Sequence, residues 1–296
     1  MELALKPKYF VLVCGLAASV SSAQIRRVTA FREDGRNPSW SRDGQVLFER
    51  AGKIVLAGAN AAEDLVVVAG GGPEWSPLAR YFAFATGGRI VLMAPDARTA
   101  LDSFPAGDAR DLRFSRDGRS LAWMDSGVAR IRTGGVVTTL ALPEGLKLAG
   151  VDDFTVSGGE LLVTASHDGI HTEIYACGIA RPGCLALTDK PTQRQDFARL
   201  SPSGGRIVFA SSETAWVPDA PIDYEADVWL QSIGDQGKAL RMTWFNEPAN
   251  PRYDPERARV NAGCWSRDGR WFLATITEGP RQDRSRLVKI EFPEAE

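Results

Sequence analysis

Histidine is scarce in this 296-residue chain: there are two, His167 and His171, both in one short stretch. Four cysteines are present, at positions 14, 177, 184 and 264, without the paired spacing of a zinc site. This poverty of imidazole and clustered thiolate excludes a zinc-finger framework and disfavours a metal centre built on several His ligands. Charge of one sign is also lacking. Lys and Arg number 35 against 37 Asp and Glu, for a net charge of −2 and a pI near 5.9. A nucleic-acid binder would carry a basic excess on some face, so that class is set aside. There is no G-x-S-x-G elbow, no P-loop and no G-x-G-x-x-G fingerprint opening a helix. Gly70-Gly71-Gly72 is followed by Pro73 and a strand-like run, which reads as a connection between units and not as a phosphate cradle.

Long apolar runs are missing after the first residues, so no span is expected in the mature chain. The beginning differs in kind. Lys6 and Lys8 precede the apolar stretch 10–20, and Ser21-Ser22-Ala23 places small residues before Gln24. That order predicts a secretory signal peptide over 1–23 and a mature chain over 24–296, periplasmic or secreted. Export changes how the cysteines read. Cys14 leaves with the signal. Cys177 and Cys184 flank a turn-like segment between two strand-like runs, where an oxidising compartment permits a hairpin disulfide. Cys264, beside Trp265, reads as a small core residue.

A repeated phrase organises the remainder. It reads Trp40-Ser41-Arg42-Asp43-Gly44, Phe114-Ser115-Arg116-Asp117-Gly118 and Trp265-Ser266-Arg267-Asp268-Gly269 in its clearest copies. Weaker copies begin at Trp75, which has lost the Asp-Gly, at Phe154 and at Leu200. Ser and Asp side chains bond nearby backbone N–H groups and Gly accepts a positive φ, so each phrase is a tight turn. An apolar run follows every copy, as Val46-Leu47-Phe48 and Trp271-Phe272-Leu273 show, and suits a strand covered on both faces. A third strand-like run follows in all six units and a fourth in five. Six units of this size predict an all-β fold, a six-bladed β-propeller of four-stranded blades. The sixth unit lacks its fourth strand, and Ile25-Arg26-Arg27-Val28-Thr29 reads like Leu240-Arg241-Met242-Thr243. The N-terminal strand is therefore expected to complete the last blade and close the ring.

The W-S-x-D-G turn, the apolar strand after it and the Leu187-Thr188 unit ending resemble the TolB-like WD-type propeller repeat of bacterial envelope proteins. The resemblance covers essentially all of 24–296. It implies the propeller fold and an exported protein that docks other molecules. The α/β domain that precedes the propeller in TolB has no expected counterpart here, because the first repeat follows directly on the leader.

In a propeller, the loops between second and third strands and those between blades share one face, opposite the phrase turns. The longest such loops are 212–227, 245–263 and 278–285, all in the fifth and sixth units. Candidate binding residues on them are Trp216, Asp219, Asp223, Tyr224, Asn246, Arg252, Tyr253, Asp254 and Arg281. Aromatics beside Arg and carboxylates suit a protein or peptide partner. Loops that simply cover the face, with a solvated ion-pair rim, give the same composition. His167, Asp168 and His171 form a turn on that face; they are the weak metal candidates, and a plain hairpin tip is the alternative.

The sequence favours an exported, non-catalytic binding scaffold in the envelope, monomeric, with no cofactor and an envelope protein or peptide as partner, a small ligand or glycan being the other possibility. The competing function is a propeller-fold carbohydrate lyase or hydrolase using carboxylates at the channel mouth. A third is the propeller of a peptidase that has lost its catalytic domain. No catalytic residue is assigned.

Overall fold

The computed structural model describes residues 27–58, 64–212, 225–234, 238–251, 253, 258–279 and 284–292. Among them every regular element is a strand. β1 (Val28–Arg32) comes first. Blade 1 then contains β2 (Arg36–Trp40), β3 (Val46–Arg50), β4 (Lys53–Leu56) and β5 (Leu65–Ala69). Blade 2 contains β6 (Gly71–Trp75), β7 (Phe82–Thr86), β8 (Arg89–Met93) and β9 (Ala100–Pro105). Blade 3 contains β10 (Arg110–Phe114), β11 (Ser120–Asp125), β12 (Val128–Thr133) and β13 (Val136–Thr139). Blade 4 contains β14 (Lys147–Phe154), β15 (Glu160–Ser166), β16 (Glu173–Gly178) and β17 (Cys184–Ala186). Blade 5 contains β18 (Gln195–Leu200), β19 (Arg206–Ser211), β20 (Asp227–Ser232) and β21 (Leu240–Arg241). Blade 6 contains β22 (Arg259–Trp265), β23 (Trp271–Glu278) and β24 (Arg284–Glu291), with β1 as its fourth strand.

The six antiparallel sheets form the predicted propeller, and the ring closes as expected. β1 pairs with β24 through Val28↔Ile290 and Ala30↔Val288, so both ends of the described chain lie in one sheet. Its bounds lie three residues later than the sequence pattern suggested. The second strands are the most buried, with the first four residues of β3 and the middle residues of β15 and β23 all buried. Continuous apolar runs belong there because neighbouring blades cover both faces. Apolar clusters lie between successive blades; one joins Leu47 and Ile54 of blade 1 to Trp75, Phe82 and Phe84 of blade 2.

The phrase turns explain their own composition. Ser41 Oγ accepts from the Asp43 and Gln45 N–H groups, and Ser266 Oγ accepts from Trp271 N–H while donating to Asp268. The turn glycines Gly44, Gly118 and Gly269 have φ of 87°, 70° and 68°. In the second copy, which lacks Gly, Ala79 takes the same left-handed conformation at φ 53°. The Thr that ends a unit is buried and structural: Thr188 Oγ1 and Thr243 Oγ1 accept from the Ile174 and Val228 N–H groups.

Cys177 and Cys184 form the predicted disulfide between directly opposed residues of β16 and β17. Cys264 is free and buried, packed with Phe48 and Leu273, and burial pushes its thiol up to about 12.

Candidate functional site: the two mouths of the central channel

The innermost strand of each blade places one side chain at the channel, just before the phrase's first residue, an aromatic in every blade but the fifth, where it is Leu200. These are Ser39, Glu74, Arg113, Asp153, Arg199 and Cys264, each lining one or both of two cavities on the axis. They are stitched into a belt, blade to blade. Ser39 Oγ accepts from Trp75 N–H at 2.8 Å, and Arg113 approaches Glu74 at 3.9 Å. Arg113 Nε donates to the Asp152 carbonyl at 2.6 Å, and Asp153 Oδ2 accepts from Leu200 N–H at 3.0 Å. Trp265 Nε1 donates to the Arg199 carbonyl at 3.2 Å, and the Trp40 N–H reaches the Cys264 sulfur.

One contact crosses the belt. Arg199 of blade 5 meets Glu74 of blade 2, the opposite blade, at 3.1 Å, and also lies 3.9 Å from Asp153. Two residues on opposite blades in contact close the lumen at this level. Burial works to lower the pKa of Arg199, but Glu74 and Asp153 outweigh it and hold it up; burial and the neighbouring Arg199 push Arg113 down. Two arginines therefore share two carboxylates in a balanced, nearly dry cluster.

The inner strands carry a recurrent irregularity. Asn37, Gly72, Asp111 and Phe197 occupy equivalent positions, three residues before the phrase's first residue (Trp40, Trp75, Phe114 and Leu200), and all have φ between 51° and 60°. Each lies at a break in register with the second strand. The bulge turns the following residues toward the axis. Because it recurs in four blades, this backbone belongs to the architecture.

The loop-face mouth is a cavity of about 400 Å³. Its walls come mostly from blades 1 to 3, with Phe197 from blade 5 and Ala262 and Gly263 from blade 6. Four arginines (36, 89, 110, 113) and four carboxylates (Glu49, Glu74, Asp108, Asp111) line it. Glu49 accepts from Arg36, from Asn37 Nδ2 and from the Gly72 N–H of the next blade. Burial pushes the Asp111 carboxyl up, against the pull of Arg113 and Arg110. Behind this mouth lies Asp152, which accepts from Thr164 Oγ1 at 2.8 Å; burial pushes it up to about 8.

The sequence placed its candidates on this same face but over blades 5 and 6. Trp216, Asp219, Asp223, Tyr224, Arg252, Asp254 and Arg281 lie outside the described residues. Asn246 is a strut at the loop base, donating to the Ala258 carbonyl at 2.9 Å and to Asp227. Asp227, fully inside, gathers Arg241, Thr243 and the Phe245 N–H and so anchors the segment between the blades. Tyr253 is 41% exposed. His171 Nδ1 lies 2.6 Å from Asp168, and His167 packs edge-on to Tyr175. Burial works to raise the Asp168 pKa, but the His171 ring and the Ile170 and His171 N–H groups hold it well below the usual carboxylate range. Among the described residues no group of three or more His, Cys, Asp or Glu side chains could hold a metal ion.

Loop length pointed away from the belt. The signal for it was a polar residue fixed before each aromatic, as in Pro73-Glu74-Trp75, Leu112-Arg113-Phe114 and Asp152-Asp153-Phe154.

No protein-family model and no curated protein matches this chain. Solved structures do. A TolB candidate from Agrobacterium tumefaciens superposes with a TM-score of 0.64 at 20% identity, covering 89% of this chain and 91% of that one. TolB from Acinetobacter baumannii gives 0.55 at 15%, covering 92% of this chain and 65% of that one. A gluconolactonase from Xanthomonas campestris gives 0.62 at 12%, covering 90% of each. At these identities the likeness establishes the propeller fold alone.

Proposed function

We propose that this chain is an exported, non-catalytic propeller that binds a segment of a protein or peptide at the loop-face mouth of its channel. The observation that carries this is the character of the mouth: a cavity of about 400 Å³ with four arginines balanced by four carboxylates, beside Phe197. A lining of both signs suits the alternating donors, acceptors and charges of a polypeptide better than a ligand of one charge. Glu49 and Glu74 are tied up by arginines and backbone N–H groups, which leaves them poorly placed for acid–base work. The leader-like start and the Cys177–Cys184 disulfide are consistent with a place outside the cytoplasm. Among the described residues no helix is long and apolar enough to cross a membrane.

The test is recovery of a cross-linked partner from the cell envelope by the native protein and by an Arg89→Glu/Arg110→Glu variant. Loss of one defined partner on charge reversal is expected. An identical set of captured proteins, or none with either form, overturns the proposal.

A second reading keeps the same mouth and makes it the site of a carbohydrate-cleaving enzyme. It rests on Asp111, whose raised pKa suits a general acid, with Asp108 in the same wall. Oligosaccharide cleavage abolished by Asp111→Asn would establish it; no cleavage of any tested glycan removes it.

A further inference from the structure

We propose that the opposite mouth of the channel, on the face of the phrase turns, is a binding site for a small dianionic oxyanion, a phosphate group or a dicarboxylate. This mouth is a separate cavity of about 390 Å³, divided from the loop-face mouth by the Arg199–Glu74 contact. Four arginines line it, Arg42, Arg116, Arg199 and Arg267, against two carboxylates, Glu74 and Asp153. Both carboxylates are engaged by Arg199 in the belt. The remaining three guanidiniums come from the second residue after the aromatic in three phrase copies, and none of them makes an ion pair among the described residues.

Arg116 is already spent on carbonyls, reaching across to Ser201 and Pro202 of blade 5 at 2.5 and 2.7 Å. Arg42 and Arg267 are exposed, and neither makes a hydrogen bond or an ion pair among the described residues. They stand on blades 1 and 6, which are neighbours in the ring. The aspartates of the same turns do not line the cavity: Asp268 accepts from Ser266 and from the Arg270 N–H. In the blade 3 and blade 6 copies the turn thus sorts its charges, carboxylate into the turn and guanidinium over the channel. Two like charges lining one concave mouth repel each other and focus a positive potential, which a doubly charged anion relieves.

Trp75 Nε1 and Arg116 Nε, in two of the lining residues, have no acceptor among the described residues, but both atoms are buried away from the cavity space, so the ligand would be held by the exposed guanidiniums. Surplus positive charge on the lining calls for a ligand of oxygen acceptors. Guanidinium forks bind phosphate and carboxylate through paired N–H groups.

The experiment is calorimetric titration of the full chain at low ionic strength with inorganic phosphate and, separately, succinate. One equivalent of at least one of them is expected to bind. Preference for phosphate means a single oxyanion held between Arg42 and Arg267; preference for succinate means one carboxylate on each. Arg42→Gln and Arg267→Gln should each weaken binding roughly tenfold, and the pair together should abolish it. Arg119→Gln, which removes an exposed charge outside this cavity, should leave binding intact. Melting curves of all variants are the check that each is folded. Absence of binding to both anions, equal affinity for acetate, or retention of binding in the double variant overturns the proposal.

Discussion

Replacing Arg199 with Met keeps most of the side-chain volume and removes one charge from the channel belt. Arg199 is 9% exposed, 3.1 Å from Glu74, 3.9 Å from Asp153 and 3.3 Å from the Asp152 carbonyl. Without it, Glu74 and Asp153 share Arg113 alone, so one carboxylate is left buried and uncompensated. Removing one partner of a buried pair typically costs about 3–5 kcal/mol. For a domain of this size, that is a fall in Tm of roughly 6–15 °C. Glu74→Gln alone should also destabilise, because it leaves two guanidiniums facing one carboxylate. The double variant restores balance, with Arg113 against Asp153, and should be more stable than the sum of the singles by about 1–3 kcal/mol. Urea unfolding followed by circular dichroism measures all four proteins. If Arg199→Met costs less than about 1 kcal/mol, or the two changes add without coupling, the cluster is wet and weakly coupled, and the belt does not hold the ring as argued.

Four further outcomes follow from the same structure. Asp152 is pushed up to about 8, above the ordinary 3.8, so its neutral form is the one the fold favours. Its contribution is fully present below pH about 4 and lost as pH rises through about 8; Asp152→Asn should flatten the decline in urea midpoint between pH 5 and 8, and an unchanged slope would contradict the assignment. Ala79 sits at φ 53° where the other turns use Gly, so Ala79→Gly should raise stability by up to about 1 kcal/mol, read as a higher Tm; a loss would show that the turn is unstrained. The Cys177–Cys184 bridge closes a short loop with a sequence separation of 7, and replacing both with Ser should cost about 2–3 kcal/mol in denaturant titration. Deleting 24–31 removes most of β1 and leaves β24 at an open edge, so the truncated protein should melt earlier and aggregate on heating; an unchanged melting curve would deny β1 its closing role.

What could be read in the sequence was whatever repeats. The phrase copies count the blades because each blade needs the same turn and the same doubly covered strand, whatever surrounds it. The missing fourth strand of the last unit placed the closure for the same local reason, and the Cys177 and Cys184 pair was legible because a hairpin sets opposed residues at bonding distance. Asn246, a polar residue on a long loop, donates its Nδ2 to Ala258 and Asp227, partners no local pattern marks.

The channel was decided by tertiary structure alone. Glu74 and Arg199 are 125 positions apart and meet only because six blades place their innermost strands around one axis. The same holds for Arg42 and Arg267, which belong to nearly opposite ends of the chain and line one cavity because the closed ring sets blades 1 and 6 side by side. A repeat states that each turn carries an arginine; it cannot state which arginines find a partner. That depends on which side chains the closed ring brings within 4 Å, and electrostatic pairing at that range is a property of the assembled fold.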